Sequence, residues 1–360
     1  MSAPNATIAP VVEQYVVTFV NERLYAIIQY AIFYGIWPCV IIIGIITNII
    51  NILVFVTMGV KDSMMASFLA LSTTDLAYLL CSSLPASATV IGLSGTTRSM
   101  PINAFFLAGI AVYYQGLFLD ISLGIIAYVA IAKCCCVVIA LKFKSVFTLK
   151  RTFIVLTIIV ITALTSRLPV FTSMGLIWVS NPQTNRSQLV GWFSKDFKSS
   201  VEFNNLLNRT AYPNAIFVIV LICSVILSSS LVEASAMRLK MTSGNKRKPE
   251  IKKSSHDYEE DHGDKNILTK RDLHVIRQVV TVACCLMFTV MILSLNSLAA
   301  VFIPGFNSTG KYWQLYNITE TIGYTCTHIH AGVHLVIYLR FNLKFKLTCS
   351  KIFSLTSSLG

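Results

Sequence analysis

Seven apolar runs, each bounded by polar or charged segments, organise the chain. A hydrocarbon core of about 30 Å takes about 20 helical residues to cross. By that measure the spans run Ile32–Met58, Met65–Ile91, Ile102–Cys136, Phe153–Trp178, Ala215–Met237, Ile276–Ile303 and Tyr312–Leu339. Lipid offers the backbone no hydrogen-bond partner, so runs of this length are expected to be helices rather than strands. The pattern predicts an all-α membrane protein, a seven-transmembrane helix bundle.

The polar intervals differ from one another. Residues 238–272 open with a basic stretch, Lys246-Arg247-Lys248-Pro249, and turn acidic through Asp257, Glu259, Glu260, Asp261 and Asp264. Such a segment has little to bury and either stays disordered or extends the flanking helices. After the seventh run, Phe341-Asn342-Leu343-Lys344-Phe345-Lys346-Leu347 alternates basic and apolar residues. It reads as a short amphipathic helix on a membrane surface, and Cys349 beside it is a candidate for lipidation. The chain thus divides into an N-terminal tail over 1–31, a bundle over 32–339 and an amphipathic helix with tail over 340–360.

Composition agrees with the pattern. Mean hydropathy is +0.69 and only 12 % of residues are charged, against about 25 % in soluble domains. The net charge of +13 would suggest nucleic acid in a soluble chain. Here 21 of the 29 Lys and Arg fall in or beside the first, third and fifth loops and the C-terminal tail. That bias marks the cytoplasmic side, so membrane lipids are the expected partner of the charge and no nucleic acid is. The Asn-x-Ser/Thr sequons, at Asn5, Asn185, Asn208, Asn307 and Asn317, all lie on the opposite side. Glycans are added in the lumen, so both signals predict a multi-pass plasma-membrane protein with its N-terminus outside and its C-terminus inside. The first span is expected to act as its own insertion signal. None of the ten cysteines falls in a predicted extracellular loop, which argues against a disulfide framework.

No P-loop, dinucleotide fingerprint or metalloprotease motif is present. The reading is therefore not an enzyme, with no cofactor and no metal. Ionisable groups inside the runs are costly there and are the functional candidates. They include Asp75 on the second run, Asp120 and Lys133 on the third, and His328, His330 and His334 on the seventh. Asn48 and Asn51 share a face of the first. Trp37 and Trp178 read as aromatic-belt residues.

Gly44-Ile45-Ile46-Thr47-Asn48 with Asn51, the second-run Leu71-Ser72-Thr73-Thr74-Asp75-Leu76, Ser122 upstream of Lys133, and a terminal Ile337-Tyr338 before an amphipathic helix resemble the rhodopsin-like (class A) G-protein-coupled receptors. The stretch Leu141-Lys142-Phe143-Lys144-Ser145-Val146-Phe147-Thr148 is most similar to chemosensory receptors of gastropod molluscs, next to invertebrate peptide receptors. The resemblance implies a receptor for a small-molecule or peptide-like ligand, acting on a heterotrimeric G protein. It places a ligand pocket near Tyr113, Tyr114, Gln115, Arg167, Glu320, Tyr324 and His328. It implies a core polar network of Asn48, Asp75, Ser122, His330, His334 and Tyr338. The histidines on the seventh run stand where that family has asparagines, which leaves two readings open: a protonated His334, with His330, as counter-charge to Asp75, or a neutral, hydrogen-bonded core histidine. Lys133, Lys142 and Lys144 are expected to face the G protein.

The chain also departs from that family. Ala132-Lys133-Cys134 replaces Asp/Glu-Arg-Tyr, His334-Leu335-Val336-Ile337-Tyr338 replaces Asn-Pro-x-x-Tyr, and Leu293-Ser294-Leu295 replaces Trp-x-Pro. Ala108 stands where the family has the third-span cysteine of its disulfide, and residues 179–212 contain no Cys. A lysine lacks the planar fork of an arginine. These changes keep two alternatives open, a receptor-like protein that does not couple to G proteins and a transporter or channel.

Overall fold

The computed structural model describes residues 20–93, 104–138, 143–181, 186–244, 281, 288–289 and 291–357. Almost all of them are helical. Helix α1 (Glu22–Tyr30) starts at Asn21, whose Oδ1 accepts from the Arg23 amide. A π-helical turn, Ala31–Ile36, joins it to α2 (Trp37–Met58). The helix therefore begins before Ile32, inside the stretch read as tail. Then follow α3 (Ser63–Leu93), α4 (Ala104–Val138), the short α5 (Phe143–Val146) and α6 (Leu149–Thr172).

After α6 the expected span does not continue. The chain leaves the helix at Ser173 and forms β1 (Met174–Asn181), which pairs antiparallel with β2 (Arg186–Phe193) from Met174↔Phe193 to Asn181↔Arg186. The fourth apolar run thus ends its helix at Thr172 instead of Trp178, and the described residues are mostly helical with a two-stranded hairpin beside the helices. Helix α7 (Phe197–Asn204) and a second π-helical segment, Asn205–Ala211, lead into α8 (Tyr212–Gly244). Helix α8 enters the 238–272 stretch, whose remainder lies outside the described residues. The last elements are α9 (Met291–Phe302), α10 (Trp313–Phe341) and α11 (Leu343–Ser357).

Among the described residues, five helical stretches are long and apolar enough to cross a membrane: Glu22–Met58, Ser63–Ala88, Phe106–Cys136, Leu149–Thr172 and Phe197–Ser230. Their surfaces are inverted relative to a soluble protein. Ile43 and Val225 are each 60 % exposed, while Asn48, Asp75, Asp120 and Arg167 are buried. Large exposed apolar faces call for a non-aqueous neighbour, and α-helices satisfy their own backbone there.

Helix α4 is the centre. Its apolar span is 78 % buried, against 22 % for that of α6 and 17 % for that of α8, and it packs on α3, α6 and α8. Gly124 makes this possible, because a Cβ there would lie 2.7 Å from both Ile159 on α6 and the Tyr212 hydroxyl on α8. Helices α2 and α10 cross equally closely at Gly44 and Gly332, where a Cβ on Gly332 would sit 3.2 Å from the Gly44 Cα. Small residues at such crossings let backbones approach and replace the hydrophobic drive that lipid cannot supply. One buried cluster, including Phe55, Phe68, Leu71, Ile125, Tyr338 and Phe345, ties α11 to α2, α3, α4 and α10.

Candidate functional site

Tyr113, Gly116 and Asp120 recur every three to four residues on α4, so they stand on one face, and that face lines a cavity of about 430 Å³. Opposite are Arg167 from α6, Asn204 from α7, Asn208 and Arg209 from the π-helical segment, Asn296 and Ser297 from α9, and Tyr324 and Thr327 from α10. The volume lies within the ordinary range for small-molecule sites.

Across it, the Arg167 Nε donates to Asp120 Oδ2 at 2.6 Å, with the two side chains 5 % and 4 % exposed. Breaking such a buried pair by removing one partner costs about 3–5 kcal/mol. Its geometry depends on Gly116, since a Cβ there would lie 2.5 to 2.8 Å from the guanidinium atoms of Arg167. The Tyr212 hydroxyl donates to the Asp120 carbonyl at 3.0 Å and holds this turn of α4 against α8.

Toward the other end, Arg209 forms an ion pair with Glu320 and donates to the Tyr324 hydroxyl at 3.2 Å. Ser297 Oγ donates to the Arg209 carbonyl at 2.9 Å, and Thr319 Oγ1 donates to Asn296 Oδ1 at 2.6 Å. These bonds join the π-helical segment, α9 and α10 into one wall. A π-helical turn widens the helix locally and is frequent at functional sites.

A second polar site lies against the first. Ser122 Oγ donates to Asp75 Oδ1 at 2.7 Å, and His334 Nε2 stands 3.3 Å from Asp75 Oδ2, close but not aligned as a hydrogen bond. A void of about 10 Å³ separates Asp75 and Ser122 from His330 and Thr289. Asn48 Nδ2 donates to the Ala331 carbonyl at 2.7 Å and to the Gly44 carbonyl at 2.9 Å, fastening α2 to α10. Asn51 is fully buried three residues further along α2. Tyr338 is fully buried against Phe55 and stacks with His334 at 6.1 Å between centroids. Leu119, Leu123 and Thr327 line both spaces, and the Tyr78 hydroxyl meets Thr327 Oγ1 at 2.6 Å. The two sites therefore share a wall.

The expected pocket divides on inspection. Tyr113, Arg167 and Tyr324 line the cavity, and Glu320 acts at its margin through Arg209. Tyr114 points outward, 43 % exposed and stacked on Phe171. Gln115 turns toward Tyr78, and His328 is fully buried between Trp37 and Tyr78, so neither lines the cavity. Consecutive helical residues point about 100° apart, so 113, 114 and 115 cannot share a face. Asp120 and Arg209 carry the cavity's charge together with Arg167; both were visible as ionisable residues near apolar runs, but their meeting in one cavity was not. Trp37 is no belt residue: it is 6 % exposed and its indole donates to Thr325 Oγ1 at 2.8 Å.

The remaining candidates fall as follows. Asn48, Asp75, Ser122, His330, His334 and Tyr338 do come together. Lys133 is 7 % exposed near the C-terminal end of α4 rather than presented outward. Lys142 lies outside the described residues, and Lys144 is on α5. Among the sequons, Asn5 and Asn185 lie outside the described residues. Asn307 is exposed in a turn where its Oδ1 accepts from the Thr309 amide, and Asn317 is half-buried on α10. Asn208 is 4 % exposed, and its amide nitrogen donates to Asn204 Oδ1 at 3.0 Å, so a glycan there is incompatible with this packing. Cys349 is 6 % exposed within the cluster around Phe55 and Phe345, and burial pushes its thiol up, which disfavours the nucleophilic thiolate. The lipidation expectation at Cys349 does not fit that placement. Among the described residues no group of three His, Cys, Asp or Glu is placed to hold a metal ion.

Compared with models of known families and with curated proteins, the chain finds no match.

Proposed function

We propose that the chain is a seven-span plasma-membrane receptor that passes an extracellular chemical signal to a heterotrimeric G protein. In this reading the five long apolar stretches, together with the runs containing α9 and α10, make the seven spans, with the N-terminus outside. The observation that carries the proposal is the pairing of a ligand-sized cavity with the Asp75 cluster across a shared wall of Leu119, Leu123 and Thr327. A ligand that moves Thr327 also shifts Tyr78 and the packing around Asp75. That is the physical requirement for coupling, namely one element whose balance both sites bias.

Burial of Lys133 favours a second reading, a receptor-like protein without G-protein coupling, because this residue, expected to face the G protein, packs within the bundle. The deciding experiment is G-protein activation in cells expressing the chain, challenged with amines, amino acids, peptides and water-borne odorants. The proposal expects a dose-dependent response to at least one class. Surface-expressed protein that binds a ligand yet gives no response leaves the second reading standing.

A further inference from the structure

We infer that the larger cavity takes a small ligand of zero net charge that presents a hydrogen-bond donor and an acceptor side by side. A zwitterionic amino acid and a primary carboxamide both carry that chemistry. The inference deepens the receptor reading and rests on it for the consequence of binding, though not for binding itself.

The charge count comes first. Among the described residues, the charged groups lining the cavity are Asp120, Arg167 and Arg209, and Arg209 is paired with Glu320 just beyond the wall. Two acids face two bases. A lone ammonium or carboxylate entering this space would either break a pair or remain uncompensated, and a buried unpaired charge is expensive. Asp120 in particular is not available as counter-ion for an amine, because Arg167 already neutralises it.

The geometry supplies the second half. Arg167 holds Asp120 through one Nε–Oδ2 bond, and its Nη1 reaches only the Tyr113 carbonyl, at a long 3.5 Å. A guanidinium carries five N–H donors and a carboxylate two accepting oxygens. Donors on Arg167 and the second oxygen of Asp120 thus remain unsaturated by each other. A ligand with a donor beside an acceptor adds to both without separating the pair, whereas an amine or an acid alone matches only one. The walls continue this preference with the uncharged side chains of Asn204, Asn296 and Ser297.

Four probes that share an isobutyl group test this: leucine, isovaleramide, isoamylamine and isovalerate. The readout is thermal unfolding of the purified, detergent-solubilised full chain. The wild type should be stabilised by leucine or isovaleramide at concentrations about tenfold or more below those needed for the amine or the acid. Stabilisation by isovaleramide alone identifies the carboxamide, and by leucine alone the zwitterion. Arg167→Gln, which leaves the cavity one charge negative, should move the preference toward isoamylamine, and Asp120→Asn toward isovalerate. The double variant Asp120→Asn with Arg167→Gln, which leaves no buried charge unpaired, should keep the preference for neutral probes. Should a single variant not fold, the order of probes on the wild type and the double variant decides alone. Preference of the wild type for the amine or the acid, or no stabilisation by any probe, overturns the inference. Stabilisation by a neutral probe without any G-protein response leaves the site in place and removes the receptor reading.

Discussion

At the scale of single residues, the cavity depends on a side chain that is missing. Gly116 leaves room for the guanidinium of Arg167 to cross α4 and reach Asp120. In sequence a glycine amid an apolar helix signals only a small local cost, so nothing there announced its role. Gly116→Val should lower stability by about 1–3 kcal/mol through overpacking, read as a drop in the thermal midpoint of purified protein. An unchanged or raised midpoint would show that Arg167 lies elsewhere. The sequons teach a related lesson. The Asn-x-Ser/Thr pattern reports chemistry but not burial, and Asn208 is committed inside the wall of the cavity while Asn307 stands on a turn. Gel mobility of protein from glycosylating cells should therefore be unchanged by Asn208→Gln and increased by Asn307→Gln, and the reverse pattern would contradict the packing.

Elements were legible to different degrees. Long apolar runs gave α2, α3, α4 and α8 because nothing else satisfies the backbone over that length in lipid. The fourth run misled, since Met174–Trp178 is as apolar as the helix before it, and periodicity alone cannot separate a helix end from a strand. Turn-forming residues at 181–185 between two Trp- and Val-containing stretches were the available hairpin signal. Polar positions marked the α2–α10 contact better, because Asn48 recurs where the backbones meet at Gly44 and Gly332. Gly332→Val should cost about 1–3 kcal/mol, whereas Ile43→Val, on an exposed face, should stay within about 0.5 kcal/mol. Equal effects in a thermal-unfolding series would remove the crossing from the account. Helix α11 offers a further check. Its Cys349 faces the cluster around Phe55, so thioester-specific acyl exchange on membranes should leave Cys349 unlabelled, and labelling there would mean that the helix does not dock as described.

At the scale of the whole molecule, the polar and apolar surfaces are inverted, and two buried polar sites sit back to back across Leu119, Leu123 and Thr327. The sequence exposed the ionisable residues that make them but not their grouping. Ser122 does reach Asp75, and the pairing of Asp120 with Arg167 spans two helices and is set by a packing distance that no local pattern encodes. The proposed receptor function rests on the coupling of those two sites. Its most direct test is GDP–GTP exchange on a purified heterotrimeric G protein by the chain reconstituted in lipid vesicles, with solute flux followed in the same vesicles. Exchange should accelerate with a cavity ligand while flux stays at background, and ligand-driven flux without any acceleration of exchange would contradict the account.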